Sequence, residues 1–529
     1  MATGRPNVVA IAGSPASKDD LFVEKPTKEI LSSTHTEELV IALCGPIGSP
    51  LHEVADKLHE MLEQPFGYVK CNVIRLSKFI GEFAARTSRE VANSGAKRRH
   101  DLITLGNEMR GEFGHSVLAE LAVNQIRVDR QQHGRDDASG QFLPRRECHI
   151  IDSIKNQEEL ELLRTVYRES LYVVGVFAPV EHRTKSMESQ GLSGPEIAEL
   201  MDRDSGEELA GGQTVAETFP HCDFFLRMDS NTETQLRSRV ERFLHLILGT
   251  KVITPTRAEA AMYAAASAAG NSACLSRQVG AAVTDAEGEV LAVGWNDVPK
   301  AFGDLYVTDL NSDANGDQDK RCWNHGGKCY NDEEKRLLAE HIIAALDQFI
   351  PAEKRAQAAD SVMRNKKLRG LIEFSRSIHA EMHALLTALR QTGPKVRGGR
   401  LYVTTYPCHS CARHIVAAGI TVVYYIEPYK KSLATKLHGD SVTEQDQDMD
   451  RVRFLPYDGV APSRYLALFR MRPDSRKKDG RVIRVAPNLA RPKLEKSLEA
   501  LPALEGLVVK SLISKKLVFR TGGLIDDGE

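Results

Sequence analysis

Short apolar runs separated by amphipathic stretches predict an α/β fold in the first half of the chain. The runs that predict buried strands are residues 38–44, 148–156, 171–177 and 221–227. A helix should follow the first run, since apolar residues recur at the spacing of one helix face at Leu51, Val54, Leu58 and Leu62. Residues 158–168 predict another helix. Because strands and helices alternate, the strands should lie parallel in one sheet.

The second half repeats this alternation after a short connection. Residues 251–256 predict a hinge, and Thr256 is placed to cap a helix that begins near Arg257, because its hydroxyl can accept an unpaired amide. The alanine-rich residues 258–269 predict a closely packed helix. A turn and strand are predicted at 276–283, and further strands at 290–294, 400–404 and 422–426. A long insertion lies between Pro299 and Ser377.

Two short motifs carry side chains that suit a catalytic metal. His379 and Glu381 stand two positions apart, and Cys408 and Cys411 follow Pro407. A catalytic zinc ion has three protein ligands and an open position for water, whose pKa it lowers. We therefore expect zinc to be bound by His379, Cys408 and Cys411. Glu381 is the predicted proton carrier.

Other metal sites fit the same stretch less well. A structural zinc site needs a fourth protein ligand, and His383 stands four residues after His379 along the predicted helix. A metalloprotease needs glutamate directly after the first histidine, but Ala380 occupies that position. The catalytic zinc interpretation is therefore favoured.

Together with the strands around them, the two motifs resemble the deoxycytidylate deaminase branch of the cytidine deaminase superfamily. The resemblance runs over about residues 255–470 and includes residues 295–299, 427–432 and 459–462. It implies a three-layer α/β/α domain in which Asn296 binds the deoxyribose hydroxyl. Arg277 is a candidate ligand of the phosphate. A turn at Asn296 and an ordinary surface charge at Arg277 are the alternative interpretations.

A glycine-rich turn follows the first predicted strand. Gly45, Gly48 and Ser49 stand between a strand and a helix, which is the architecture of a phosphate-binding loop. Leu51 and His52 replace the lysine and the hydroxyl residue of a complete loop. Residues 38–250 nevertheless resemble a P-loop kinase. The resemblance implies a parallel sheet that binds nucleotides or serves as a scaffold, rather than an active kinase.

The joined layout resembles bacterial anti-phage deoxycytidylate deaminases. This resemblance implies deamination of dCTP and dCMP to dUTP and dUMP, and antiviral defence by depletion of cytosine deoxynucleotides. It also implies a homo-oligomer and an inhibitory small RNA as a partner. One alternative is a cytosine deaminase that acts on RNA or single-stranded DNA, although a strand-binding groove should be basic. Another is a nucleotide- or RNA-responsive regulator with an inert deaminase.

The insertion offers a second, structural zinc site. Cys322, His325 and Cys329 lie close together in sequence, and the resemblance implies a second zinc in this region of some relatives. His383 is the candidate fourth ligand. Two ordinary thiols in a loop are the alternative interpretation.

Composition indicates the class of protein and its compartment. The 529 residues are 42% hydrophobic, which favours two or three domains with ordinary cores. The 70 basic and 72 acidic residues give a net charge of −2, which argues against a nucleic-acid-binding surface over the whole protein. Nine scattered cysteines indicate a reducing compartment. The chain shows neither a secretory signal nor an apolar run of ~18 residues, so we expect a cytoplasmic protein without a membrane span.

These expectations divide the chain into four segments. They are a mobile tail at 1–37, a kinase-like domain at 38–250, a deaminase domain at 251–474 and a basic extension at 475–529. The cations of the extension are expected to form solvated surface, with RNA or nucleotide phosphates as the alternative partner.

Overall fold

The computed structural model describes residues 32, 34–135, 141–205, 214–228, 233–308, 318–365, 368, 370–428, 432–471, 476–494, 496–498 and 500–517. Most of the predicted tail at 1–37 therefore lies outside the described residues, as does the end of the basic extension, 518–529.

The strands are β1 (His35–Thr36), β2 (Leu39–Cys44), β3 (Lys70–Arg75), β4 (Glu147–Ile154), β5 (Leu171–Phe177), β6 (Phe224–Arg227), β7 (Gly280–Thr284), β8 (Val290–Trp295), β9 (Arg400–Thr405), β10 (Val422–Glu427), β11 (Val442–Thr443), β12 (Val452–Pro456), β13 (Gly459–Val460), β14 (Lys477–Lys478), β15 (Arg481–Val482) and β16 (Lys496–Ser497). The α-helices are Leu51–Glu63, Leu76–Arg86, Gly95–Phe113, Val117–His133, Gln157–Tyr167, Val180–Ser189, Gly194–Ser205, Val215–Thr218, Glu233–Leu248, Arg257–Ala269, Tyr330–Ala345, Arg355–Arg364, Ala380–Thr392, His409–Ala417, Ala434–Leu437, Tyr465–Phe469 and Leu501–Ser514.

The first sheet has the parallel arrangement that the sequence predicts. Its strands follow the order β13-β6-β5-β2-β4-β3, and all except β13 run parallel. Val40 and Ala42 of β2 belong to one hydrophobic core, whereas Leu39 and Ile41 belong to another, because successive side chains point to opposite faces. Helices cover both faces, as a parallel sheet requires. We call this sheet and its helices the N-terminal lobe.

The second sheet follows the order β11-β12-β10-β9-β7-β8, with β7 antiparallel to both of its neighbours. One face packs against the helix Arg257–Ala269, and the other against the helix Ala380–Thr392. This C-terminal lobe therefore has three layers, and the predicted mixed α/β class is confirmed. Thr256 caps its first helix as predicted, because its Oγ1 accepts the Glu259 amide at 3.1 Å.

The chain returns to the N-terminal lobe after β12. β13 pairs with β6 of the first sheet, and β16 pairs with β1. The helix Leu501–Ser514 then packs against the helix Val117–His133. The domain boundary at 474 stays a prediction. The chain already joins the first sheet at β13, whose last residue, Val460, precedes that boundary by 14 positions.

No helix in the part of the chain that the structure describes is long and apolar enough to cross a membrane.

Candidate metal centre and substrate cavity

Two helix N-termini meet at the centre of the C-terminal lobe. His379 is the residue directly before the helix Ala380–Thr392, and Cys408 holds the same position before the helix His409–Ala417. Cys411 lies in the first turn of that second helix, and its amide donates to Cys408 Sγ at 3.4 Å. The positive end of the helix dipole thus lies at Cys408, where it favours the thiolate form.

The distances among these three side chains fit a tetrahedral metal. His379 Nδ1 lies 3.3 Å from Cys411 Sγ and 3.4 Å from Cys408 Sγ. Nitrogen and sulfur ligands of a tetrahedral zinc ion lie about 3.6 Å apart, given the usual bond lengths. The structure therefore brings together His379, Cys408 and Cys411 as a group that could hold a metal ion.

Of the three side chains, only Cys408 already carries the charge of a metal ligand. Hydrogen bonding to Cys408 and burial raise the pKa of Cys411 well above its ordinary value, so zinc has to displace a proton from Cys411 and another from His379. The pKa of Cys408 falls to about 4, chiefly through hydrogen bonding to Cys411 and also to His379. The hydrogen bond to Cys408 raises the pKa of His379 to about 9. A preformed thiolate suits zinc, which requires deprotonated sulfur.

Glu381 lies in the first turn of the helix that follows His379. Its side chain is buried, with 5% of the residue exposed. Burial raises the pKa of this carboxyl, and the neighbouring His379 charge opposes that rise. A carboxyl with a raised pKa can both take and release a proton nearer to neutral pH.

A cavity of about 520 Å³ opens beside the metal group. Its wall includes His379, Glu381 and Cys408 from the centre, and also Asn331 and Lys335 from the helix Tyr330–Ala345 of the insertion. Neither Asn331 nor Lys335 is predicted from the sequence. Nothing in a helical stretch of mixed polarity indicates which of its cations turns inward, so the sequence carries no signal for them.

Asn296 and Arg277 both line this cavity, as their predicted roles require. Asn296 Nδ2 donates to Arg277 O at 2.8 Å, and Asn296 Oδ1 accepts the Val279 amide at 2.7 Å. Asn296 therefore holds the turn that carries Arg277. The Arg277 guanidinium is half-exposed and forms an ion pair with Glu427 at 3.0 Å.

The structure does not gather the four residues of the predicted second zinc site. Among the described residues, Cys322, His325, Cys329 and His383 form no metal-ligating group. The ring of His383 faces Trp295 instead, because its Nδ1 lies 3.2 Å from both the backbone nitrogen and the backbone oxygen of that residue. Cys329 Sγ lies 3.3 Å from Ser276 Oγ, and the ring of His325 stacks on Tyr330.

A second buried group of possible ligands lies in the N-terminal lobe. It consists of Asp129, Glu147 and His149. Lys70 forms an ion pair with Asp129, and Arg145 pairs with both carboxylates. These cations already balance the two negative charges, so we assign no metal to this group.

The predicted phosphate-binding residues lie in the N-terminal lobe, outside the substrate cavity. Gly45, Gly48 and Ser49 occupy the turn between β2 and the helix Leu51–Glu63. Gly48 has a φ of 82°, a left-handed conformation that favours glycine. Arg183 closes over this turn and donates from Nη1 to Ile47 O at 3.2 Å.

Residues 255–427 match the family model of the cytidine and deoxycytidylate deaminase zinc-binding region. This range contains both motifs and the cavity residues named above. Zinc is therefore the metal that the His379, Cys408 and Cys411 group fits.

Individual relatives cover parts of the chain. ComE operon protein 2 of Bacillus subtilis is 48% identical over 56 residues, which are 11% of this chain and 29% of that protein. The chain thus spans less than a third of that relative. Deoxycytidylate deaminase of Enterobacteria phage T4 is 28% identical over 166 residues, which are 30% of this chain and 72% of that protein. The crystal structure of dCMP deaminase from the cyanophage S-TIM5 in complex with dCMP and dUMP aligns with a TM-score of 0.23 and 20% identity, over 39% of this chain and 99% of that one.

Proposed function

We propose that the C-terminal lobe hydrolytically deaminates the cytosine of deoxycytidine nucleotides, converting dCTP or dCMP to dUTP or dUMP and ammonia. One observation carries the proposal: a single cavity contains two of the metal-ligand candidates, a buried glutamate and two cationic side chains, Arg277 and Lys335. Its volume of about 520 Å³ lies in the range of small-molecule sites. The match to a zinc-binding deaminase region supports the same class of reaction.

In this proposal His379, Cys408 and Cys411 hold zinc, which supplies a water molecule of lowered pKa. Glu381 would transfer one proton of that water to the ring nitrogen of cytosine and the other to the departing amine. The burial that raises the Glu381 pKa assists the uptake of each proton from water, since the protonated carboxyl is then easier to form.

The polar wall of the cavity would select a nucleotide over a free base. Arg277 and Lys335 are suited to the phosphate groups, because guanidinium and ammonium groups donate charge-assisted hydrogen bonds to phosphate oxygens. Asn296 keeps the Arg277 turn in place and is the candidate partner of the deoxyribose hydroxyl. These roles rest on position in the cavity wall and on charge.

The decisive test compares variants of Glu381 and His379 in the zinc-loaded, full-length protein. Glu381→Gln should keep zinc but lower kcat for dCMP and dCTP by about 10²- to 10⁴-fold, the usual contribution of a general acid–base group. His379→Ala should lose zinc. Glu340→Gln, on an exposed part of the insertion helix, is the control and should behave as the unchanged protein. Full turnover by zinc-bound Glu381→Gln would refute the assigned role.

The same assay separates the substrate classes. Uracil products are measured by chromatography after incubation with dCTP, dCMP, a cytosine-containing RNA and a cytosine-containing single-stranded DNA. The proposal expects product from the mononucleotides alone. Product from the oligonucleotides instead would favour a polynucleotide deaminase, and no product from any substrate would favour a regulator with an inert centre.

Depletion of cytosine deoxynucleotides during phage infection is the biological role that we propose for this reaction. It rests on the resemblance of the joined layout to anti-phage deaminases, which also motivates the proposed homo-oligomer and inhibitory small RNA. Bacteria that express the unchanged protein should lose dCTP after infection and restrict the phage. Cells with Glu381→Gln should do neither. If cells with Glu381→Gln still restrict the phage, the defence does not depend on deamination.

A further inference from the structure

An unpaired acceptor lies in the wall of the substrate cavity, on the insertion. Asn331 stands in the first turn of the helix Tyr330–Ala345 and lines the cavity. Its Nδ2 donates to Leu371 O at 3.1 Å. Because a carbonyl oxygen only accepts, this bond fixes which end of the amide is nitrogen and which is oxygen. The oxygen, Oδ1, is buried and accepts no hydrogen bond from any residue that the structure describes.

Such an oxygen indicates a donor that a ligand brings. Buried polar atoms are normally paired, because burial removes the water that would otherwise bond to them. Among the described side chains of the cavity wall, Asn331 contributes the one buried oxygen that lacks a partner. Asn296 differs in this respect, since its Oδ1 already accepts the Val279 amide at 2.7 Å. The acceptor available to a bound molecule is therefore Asn331 Oδ1.

The substrate of the proposed function, on which this step rests, offers few donors. A deoxycytidine nucleotide whose phosphate groups are ionised donates hydrogen bonds only from the cytosine amine and from the 3′-hydroxyl of the sugar. The amine has to reach the metal centre, where Glu381 protonates it as it departs. The 3′-hydroxyl is the donor that remains for Asn331.

The place of Asn331 on its helix agrees with a sugar contact. Asn331 and Lys335 stand four positions apart on one helix face, with about 5–6 Å between Cβ atoms at this spacing, and both line the cavity. In a nucleotide whose phosphate contacts Lys335, the sugar comes next, because one oxygen and C5′ join the phosphorus to the sugar ring. The base lies on the far side of that ring. A side chain one helix turn from Lys335 is thus placed to contact the sugar.

We propose that Asn331 Oδ1 accepts a hydrogen bond from the 3′-hydroxyl and thereby selects free deoxynucleotides over nucleotides within a DNA strand. Inside a strand the 3′-oxygen is esterified to the next phosphate, so it carries no hydrogen and the buried acceptor stays unpaired. Asn296 completes the recognition, because the second hydrogen of its Nδ2 can bond to the oxygen of the same hydroxyl.

The test compares kcat/KM for dCMP with kcat/KM for 2′,3′-dideoxycytidine monophosphate, which lacks only the 3′-hydroxyl, in the zinc-loaded, full-length protein. The unchanged protein should favour dCMP by about tenfold or more, since a site built to bond a hydroxyl rejects the analogue without it. Asn331→Leu should lower this ratio by about fivefold or more, through slower deamination of dCMP. An unaltered ratio in Asn331→Leu would overturn the proposal.

Asn324→Leu is the matched control. Asn324 also belongs to the insertion, and its Nδ2 also donates to a backbone oxygen, that of Asp319 at 3.0 Å. It is exposed and does not line the cavity. This variant should keep the ratio of the unchanged protein. If it lowers the ratio as much as Asn331→Leu does, the ratio reports loosening of the insertion and the assignment to Asn331 is wrong.

Asn331→Asp separates the acceptor from the bond to Leu371, and it keeps the test open if Asn331→Leu does not fold. The aspartate retains an oxygen for the hydroxyl but cannot donate to Leu371 O. Turnover of both substrates should fall, whereas their ratio should stay close to that of the unchanged protein. A ratio as low as that of Asn331→Leu would assign the effect to the lost bond with Leu371 and refute the proposed contact.

Binding gives a readout without turnover. Zinc-loaded Glu381→Gln should bind dCMP more tightly than the dideoxy analogue by about tenfold or more in calorimetry. Deoxycytidine 3′,5′-bisphosphate, which imitates a nucleotide within a strand, should bind as weakly as the analogue. Equal binding or equal turnover of dCMP and the analogue defeats this inference alone. Neither binding nor turnover of any cytosine nucleotide defeats the proposed function, and this inference with it.

Discussion

At the scale of single residues, Gly294 determines how closely the metal-binding helix approaches the sheet. A Cβ at this position would lie 2.3 Å from Ala384 N and 2.6 Å from Ala380 O, both on the backbone of the helix that follows His379. The backbone cannot give way without moving the first turn of this helix. Glu381 lies in that turn, so the glycine positions the proposed catalytic carboxylate without lying in the cavity wall itself.

Gly294→Ala should therefore lower both stability and activity. Overpacking of this kind costs about 1–3 kcal/mol of unfolding free energy, and a misplacement of ~1 Å in an active site can cost about 100-fold in rate. Gly270→Ala is the control, since its Cβ would meet only Ser267 O at 3.4 Å. Thermal unfolding, zinc content and kcat are measured for both. Unchanged kcat in Gly294→Ala would show that the helix adjusts without moving Glu381.

Single residues also show why only part of the site is predictable. The spacing of His379, Glu381, Cys408 and Cys411 follows from chemistry, because a catalytic zinc needs three ligands and a proton carrier. The structure brings the three candidate ligands together, with Glu381 in the adjoining turn. For His383 the spacing is equally suitable, yet its ring contacts the backbone of Trp295. Sequence spacing does not show which way a side chain turns when a neighbouring strand offers it a partner.

At the scale of elements, the insertion forms part of the substrate cavity. Its helix Tyr330–Ala345 places Lys335 in the cavity wall with a side chain that is 9% exposed. The neighbouring Arg336 has a side chain that is 62% exposed and pairs with Glu340. Adjacent helix positions, about 100° apart around the axis, thus carry one cation that faces the cavity and one that faces solvent.

Lys335→Met should raise KM for dCMP and dCTP by about tenfold while kcat changes little, because a phosphate contact remote from the reacting ring contributes mainly uniform binding. Deoxycytidine, which lacks phosphate, should show no such loss. Arg336→Met removes the same charge from the exposed face and should leave all three KM values unchanged. A rise in KM for deoxycytidine as large as that for dCMP would assign Lys335 to packing of the wall rather than to phosphate binding.

Strands β2, β4, β5 and β6 could be predicted because each contains an apolar run that is buried on both faces. The edge strand β3 and the short strand β13 could not be predicted. Polar residues interrupt the apolar positions of β3. Gly459 and Val460 are too few to form a recognisable pattern, and their resemblance to deaminase sequences placed them with the second domain. They pair with β6 because the chain passes the open edge of the first sheet on its return.

At the scale of the whole molecule, the end of the described chain stabilises its beginning. Glu505, from the helix Leu501–Ser514, accepts from both Nε and Nη2 of Arg130 at 3.0 Å. Arg130 also donates to Glu38, the residue directly before β2, at 2.6 Å. All three side chains are buried. The basic extension is therefore anchored by a buried acid, which its overall charge does not reveal.

Glu505→Gln should destabilise the N-terminal lobe, because it leaves the buried Arg130 charge only partly compensated. Breaking a buried ion pair costs about 3–5 kcal/mol, and we expect the lower end since Glu38 remains. The measurement is the free energy of unfolding in urea for each variant. Deaminase activity is assayed in a separate experiment. Lys510→Gln, on the exposed side of the same helix, is the control and should change the unfolding free energy little.

Combining Arg130→Met with Glu505→Gln tests whether the two residues act through one interaction. The double variant should lose clearly less unfolding free energy than the sum of the losses in the two single variants, because both substitutions remove the same interaction. Additive costs would mean that Glu505 acts on stability without Arg130, and the C-terminal helix would then be held by its apolar face alone.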